Sequence, residues 1–581
     1  MKPIIALIDF IMVHEGKKTL RYIQKHSLEE KANEKTLLKI LKDNKNTEYG
    51  KKYDFANIHS FEEYKAKVPL STYDDYYPYI KRMISNKENN LITAYKVLQY
   101  ADTSGSIGVQ KRIPITDKIV NIHKKYSISR SKAMADIFYK KKYGKHVPYE
   151  FGLNTVECEN TVAEDGKIHS SATGCVARRY RKLFKFFLTS PDPVHFPIGG
   201  MNMNYMKARF ALERDNIAFM LSAFMTNLVD IMNFIKENWR MLVDDIEHGT
   251  INEDMCKEES RPAIMKYIKP HPKRAAALRK VFEEGFDTPI IPRLWPKMSW
   301  ACAIGNGSFS SYLKKYKKYA GEDVAIDYFV YAASEGMFAV AIEMNKPEFC
   351  MLTDSSFFEF RDATAADDDN NTVMMDQLEV GKDYEVIITN LGGFYRYKIM
   401  DVIRVLGFYN NLPLITFAYR KGQLANLAGE KTTEEHLNEA VANLGNELGV
   451  DINDFCLYLD TETAVSRYIL LIEPETPLDI NKDKEYAKMF DRILRESNKE
   501  YDVVRNRGSL SDPLVFIQMQ ETHALWREFK LSMGSSSNQV KPVRILDAPI
   551  KQNFFFGLLE PGQDVPDLYF MKVKKNNKTP Q

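Results

Sequence analysis

The texture of hydrophobicity changes once along this chain, and that change constrains the fold more than any single residue does. From about Trp295 onward, short apolar runs are separated by glycine and polar turns: Trp300 to Ile304, Tyr328 to Ala332, Met337 to Ile342, Tyr384 to Thr389 and Val402 to Leu406. Short runs punctuated in this way read as strands. Ahead of them the pattern is helical. Between about Phe219 and Leu242, the residues Leu228, Ile231, Met232, Ile235, Trp239 and Leu242 recur at the spacing of one helix face, a core stripe and not a ligand box. Ser27 followed by Glu30 has the form of a capping box, and Leu37, Leu38 and Leu41 continue a helical face behind it. The fold class is therefore α/β in the mixed α+β sense, with sheets flanked by helices.

A chain of 581 residues is too long for one small core, so more than one domain is expected. Strand texture stops around Tyr419-Arg420-Lys421-Gly422, and a helix-like segment from about Thr432 (Thr433, Glu434, Glu435, Leu437) opens a smaller α+β unit. The expected division is a large N-terminal domain over 1–419 that includes a leader helix at 1–26, a hinge at 420–422, a small domain over 423–570 and a disordered tail at 571–581. The apolar start, Pro3 to Val13, is interrupted by Asp9 and runs into His14-Glu15-Gly16-Lys17-Lys18. It is about half the length of a spanning helix, which makes it a docked or membrane-touching helix without stable membrane insertion. The acidic run from Asp367 to Asn371 reads as a solvated loop.

Charge and thiols narrow the class of partner. Lysine plus arginine (81) nearly cancels aspartate plus glutamate (78), so composition offers no footprint for a nucleic-acid duplex or an anionic bilayer, and any polyanion must be small and met locally. Cys158, Cys175, Cys256, Cys302, Cys350 and Cys456 are scattered without close pairs, which fits reduced packing thiols in a cytoplasmic protein. Small molecules are the expected partners, and a monomer or weak homodimer the expected state.

Four blocks could carry chemistry. Thr103-Ser104-Gly105-Ser106-Ile107-Gly108 with Lys111 supplies hydroxyls, glycines and a cation, a set that can wrap phosphates; a plain turn is the alternative, and the block does not fit the Walker pattern. In Tyr331-Ala332-Ala333-Ser334-Glu335-Gly336, between two presumed strands, a ring could stack on a purine and a carboxylate beside a hydroxyl could hold magnesium on phosphate oxygens; the plainer reading is an exposed turn carboxylate. The block from Gly392 to Asp401 is a glycine turn with an aspartate entering the following strand, where it needs a partner such as a vicinal diol or a salt bridge to Arg396 or Arg404. Near the C-terminus, Lys541 follows the Met533 to Ser537 segment; it is either a solvated loop residue or a charge delivered by a mobile domain to a transferring group.

Taken in order, these blocks resemble the Gretchen Hagen family of acyl acid amido synthetases in the adenylate-forming superfamily, and the chain looks like a bacterial-type member. The likeness spans about residues 35 to 560 and includes Thr47 to Tyr53, Val68 to Tyr73, Asp244-Asp245-Ile246, Leu294-Trp295-Pro296, Phe358-Glu359-Phe360 and Tyr395-Arg396-Tyr397. It implies a large adenylate-forming domain and a smaller mobile one, with ATP and Mg2+ as cofactors. It also implies that a small carboxylic acid is adenylated and its acyl group passed to an amine, in most cases that of an amino acid. By the same resemblance Thr103, Ser104, Gly105, Ser106 and Lys111 border the phosphates, and Tyr331, Ala332, Ser334 and Glu335 meet the adenine, phosphates and metal. Asp401 with Tyr397 holds the ribose side, Arg420 lies at the hinge, and Lys541 and Lys111 act as the catalytic cations. An acyl-coenzyme A ligase and a non-catalytic nucleotide- or acid-binding relative are the rival readings. Two positions depart from the family pattern. Met400 stands where members carry glycine, so a positive φ there would be strained, and Gly336-Met337 replaces a cysteine-tyrosine pair common in plant enzymes.

Overall fold

The computed structural model describes residues 2–102, 111–158, 161–162, 166–170, 172–178, 181–366, 370–421, 425–533, 540–563 and 565. Contacts divide the chain into two compact units, the first running to Phe417 and the second beginning at Ala418. The described strands form four sheets, three in the first unit.

One sheet of the first unit joins Val97–Asp102 (β1), Arg112–Thr116 (β2), Thr161–Val162 (β4) and Ile168–Ser170 (β5) in the order β2-β1-β5-β4. A second is wholly parallel, Phe151–Asn154 (β3), Ile217–Phe224 (β6), Trp300–Ile304 (β7) and Ala325–Asp327 (β8). The helix Met225–His248 follows β6 and buries Leu228, Ile231, Met232, Ile235 and Leu242, the stripe read from its spacing. The residues before it differ from expectation: Ile217–Phe224 is a strand, and the helix starts at Met225. A strand buried on both faces of a parallel sheet is apolar throughout and carries no alternation to separate it from a helix.

The third sheet contains Val330–Ala333 (β9), Gly336–Val340 (β10), Phe349–Met351 (β11), Ser356–Asp362 (β12), Asp383–Asn390 (β13), Tyr397–Tyr409 (β14) and Leu412–Arg420 (β15) in the order β12-β13-β14-β15-β11-β10-β9. This sheet is strongly curled. Phe338 on β10 meets Phe358 on β12 edge to face at 5.8 Å, although these strands lie near opposite ends of the order. Strands pair at spacings of about 4.8 Å, so a flat sheet would hold them more than ~20 Å apart.

The N-terminal helix Lys2–His26 docks on the helix Ile128–Tyr143. Ser27 closes that first helix and does not cap the next. Its hydroxyl donates to the Gln24 carbonyl at 2.7 Å, and the following helix begins at Ala32 behind Lys31. In the second unit Ile452–Asp460 (β16), Arg467–Pro474 (β17) and Leu514–Ile517 (β18) form a small sheet packed by the helices Glu434–Leu448 and Asp483–Ser497. Thr433 caps the first of these, accepting from the His436 N–H. The cysteines 158, 256, 302, 350 and 456 are buried free thiols, and no helix among the described residues is long and apolar enough to cross a membrane.

Candidate active site

The turn between β13 and β14 is the hub of the first unit. Asn390 ends β13, and its Oδ1 accepts from the backbone N–H of Gly392 (2.9 Å) and of Phe394 (3.0 Å). Gly393 has φ +102 and lies against Ile92, where a Cβ would come within 2.9 Å of the Ile92 carbonyl, so only glycine makes this turn without strain.

Much of what looked like family signature builds a scaffold around this turn. Tyr395 is fully buried, stacked on Tyr49 at 5.0 Å, and its carbonyl accepts from the Tyr76 and Ser71 hydroxyls, each at 2.8 Å. Arg396 is buried, with its guanidinium on the buried carboxylate of Glu359 (2.8 Å) and on the Val68 carbonyl (2.9 Å). The segments containing residues 49, 71, 359 and 395 are therefore drawn together by hydrogen bonds and ring stacking, and the start of β14 is fixed from several sides.

Two sequence-predicted blocks, the β9–β10 turn and the Gly392 to Asp401 turn itself, come together at the hub, and β2 packs beside them. The Thr116 hydroxyl donates to the Leu391 carbonyl at 2.9 Å, and a Cβ on Gly392 would sit 3.0 Å from the Pro114 carbonyl. Residues 103–106, which precede β2, fall outside the described residues. Lys111, just before β2, is half-buried, with Nζ 5.4 Å from the centre of the Tyr73 ring. The β9–β10 turn meets the hub from another side, as the Asn390 amide donates to the Glu335 carbonyl at 2.8 Å. Within that turn Ser334 and Ala332 are partly exposed, while Glu335 is buried at 8% exposure. The alternative of an exposed turn carboxylate does not hold, since the hairpin is drawn against Asn390 and Glu335 is buried.

The third block supplies Asp401. Between β13 and β14 the register moves from Glu385 opposite Val402 to Ile387 opposite Lys398, so β14 carries extra residues in a bulge. Met400 lies in this bulge with φ +68, the left-handed conformation in which glycine is normally found. The bulge presents the buried Asp401 carboxylate to β9, where the Tyr331 hydroxyl donates to its Oδ2 at 3.1 Å. The Tyr331 ring is itself packed against Phe338 and Phe417, at 5.6 Å and 6.4 Å between centroids. Of the salt-bridge candidates for Asp401, the Arg396 guanidinium is held by Glu359, and Arg404 pairs with Asp383 at 2.8 Å. Tyr397 opens β14 and is buried beside Phe394 and Tyr76.

The remaining predicted residues belong to the second unit. Arg420 ends β15 half-buried, and Lys541 is exposed. Gly422 and the segment 534–539 lie outside the described residues, as do 367–369 of the acidic run.

Sequence reading missed a buried polar cluster at the carboxyl ends of β3 and β6. Lys207 is paired there with Glu157 and donates to the Thr155 carbonyl at 2.7 Å, and Thr155 donates to the Ser222 hydroxyl at 2.7 Å. His195 is buried at 2% exposure against the Asn154 amide, and burial followed by the charge of Lys207 pulls its pKa down to about 4. The His195 Nε2 and the hydroxyls of Thr189 and Ser190 have no hydrogen-bond partner among the described residues. The carboxyl ends of parallel strands are where open α/β sheets bind ligands, so identifying β3 and β6 as strands would have pointed here.

Residues 23–325 match the GH3 family N-terminal domain, 349–420 its central domain and 435–549 its C-terminal domain. The chain belongs to the GH3 family. Among its relatives is indole-3-acetic acid-amido synthetase GH3.4 of Arabidopsis thaliana, 25% identical over 91% of each chain. Another is the jasmonoyl–L-amino acid synthetase GH3.5 of Oryza sativa subsp. japonica, 28% identical over 75% of this chain and 79% of that one. A solved structure of the GH3.15 acyl acid amido synthetase superposes with a TM-score of 0.81 at 22% identity, covering 93% of this chain and 96% of its own. These relatives are plant proteins or come from the same enzyme group, and they give the bacterial-type assignment no support.

Proposed function

We propose that this GH3 protein joins a small carboxylic acid to the amine of an amino acid in two half-reactions at the Asn390 hub. In the first, an oxygen of the acid attacks the α-phosphorus of ATP, the bond to the β-phosphate oxygen breaks, and pyrophosphate leaves. In the second, the amine nitrogen attacks the acyl carbon, the carbon–oxygen bond to AMP breaks, and the amine proton passes to solvent. The observation that carries this reading is the Tyr331–Asp401 bond, which joins the second and third predicted nucleotide blocks directly.

In this assignment Asp401, oriented by Tyr331, accepts from the ribose hydroxyls, and Tyr397 and Ala332 line the nucleoside side. Thr103, Ser104, Gly105, Ser106 and Lys111 meet the phosphates. Ser334 and Glu335 would hold Mg2+, for which a buried carboxylate next to a hydroxyl is a fitting hard-oxygen donor set, and the ion would neutralise phosphate charge. Lys541 neutralises charge on the transferring group, and Arg420 lies where the units join. Most of the catalytic effect then comes from positioning and from preorganised charge. The buried thiols suit a reducing, cytoplasmic setting. The relatives act on different acids, indole-3-acetate in one and jasmonate in another by their names, so the acid is left to experiment.

The test is acid-dependent exchange of labelled pyrophosphate into ATP across aromatic, aliphatic and hydroxy acids, followed by product mass with the twenty amino acids or coenzyme A as acceptor. Exchange with an amide product is expected; a thioester product would instead identify a coenzyme A ligase. ATP binding without any exchange would reject adenylation. In the same assay Asp401→Ala should weaken ATP binding by about 1–3 kcal/mol through lost hydrogen bonds to the ribose.

A further inference from the structure

We propose that the N-terminal helix Lys2–His26 is a docking surface for an anionic lipid membrane. Its residues 2–22 precede the matched family N-terminal domain, which starts at residue 23. The helix is firmly seated. Asp9 forms a buried ion pair with Lys132, Lys17 pairs with Asp136 at 2.8 Å, and the Thr19 hydroxyl donates to the Lys125 carbonyl at 2.9 Å. At Gly16 the two helices approach so closely that a Cβ would clash with the Ser129 carbonyl.

These contacts set the roll of the helix and hence what faces outward. Leu7, Phe10 and Ile11 are exposed at 57%, 59% and 50%, within two turns of one another. Continuing along the same outward stripe at helical spacing, Arg21 and Lys25 are exposed, and Lys18 is exposed in a pair with Glu15 at 2.7 Å. The helix Arg181–Phe187 packs beside it and exposes Lys182, Leu183 and Lys185, while Arg181 is held in an ion pair with Asp192. Large apolar side chains exposed together, and flanked by cations, form the pattern of an interfacial helix. The apolar turns would enter the boundary between headgroups and acyl chains, and the lysines and arginine would meet lipid phosphates. The near-neutral composition hides this patch because it averages charge over the whole chain.

Charge also discriminates among occupants. A second copy of this face would bring like charges together, and the C-terminal segment with Lys572, Lys574, Lys575 and Lys578 is basic too. An anionic bilayer satisfies both the apolar and the cationic halves.

The experiment is co-sedimentation of the full chain with phosphatidylcholine vesicles, with and without phosphatidylserine, at low and high salt. Binding is expected only to the phosphatidylserine vesicles and should weaken with salt. A Phe10→Ser/Ile11→Ser variant and a Lys182→Glu/Lys185→Glu variant should each lose at least about tenfold in partitioning, with unchanged circular dichroism and thermal midpoint. Equal binding to both vesicle types, no binding, or variants that bind like the parent would overturn the proposal. So would a parent dimer in light scattering that the same variants convert to monomer, which would assign the face to a second copy.

Discussion

Met400 is the residue at which local preference and tertiary demand conflict most openly. A left-handed conformation costs a non-glycine residue about 1–2 kcal/mol, whereas glycine would lose roughly 0.5–1 kcal/mol to unfolded-chain entropy. Met400→Gly should therefore stabilise the fold by between zero and about 1.5 kcal/mol. Met400→Val, with a branched Cβ at φ +68, should be less stable than Met400→Gly by about 1–2 kcal/mol in denaturant unfolding. His195 makes a separate prediction at this scale. Burial lowers its pKa from 6.5 to about 4, so the unfolded chain takes up a proton that the folded chain refuses in that window. The associated stability is fully present above about pH 6.5 and is lost as pH falls toward 4, by up to about 1.4 kcal/mol per pH unit. His195→Asn should flatten the stability slope between these limits; an unchanged slope would mean that His195 does not stay neutral in the fold.

At the scale of elements, the buried pair of Glu359 on β12 and Arg396 before β14 ties two strands to the segment ending at Val68. Removing one partner leaves an uncompensated buried charge, so Glu359→Ala should cost about 3–5 kcal/mol. Glu359→Ala combined with Arg396→Met should recover part of that loss in the same unfolding measurement. Elements were legible in sequence where a boundary carries its own chemistry: β7 spans Trp300–Ile304 as read, and Thr433 caps the helix that begins at Glu434. They were not legible where an apolar run is buried on all sides, as in β6, or where a cap-like pair serves the preceding helix, as at Ser27. The same holds at the site. The Gly392-Gly393 turn was visible as a turn, but the role of Asn390 was not, because its partners lie in the turn and in the separate hairpin at Glu335.

At the scale of the whole molecule, Asp401 and Glu335 belong to the first unit and Lys541 to the second. If Lys541 acts only on the charge of the transferring group, Lys541→Ala should slow acid-dependent pyrophosphate release by about 10²-fold while ATP affinity stays within about twofold. An equal loss in both would make Lys541 a binding residue. What the sequence determined by itself is local: strand runs after Trp295 such as β7, the turn at Gly392-Gly393 and the helix that opens behind Thr433, whereas strands β1 to β6, ahead of Trp295, were not read. Only the tertiary structure decided how the side chains of the site meet. Tyr331 and Asp401 are 70 residues apart, and they touch because a seven-stranded sheet curls and a bulge turns one strand. Hydrophobic period records which face of a strand is buried; it does not record how far a sheet bends, since the bend arises from packing between residues distant in the chain.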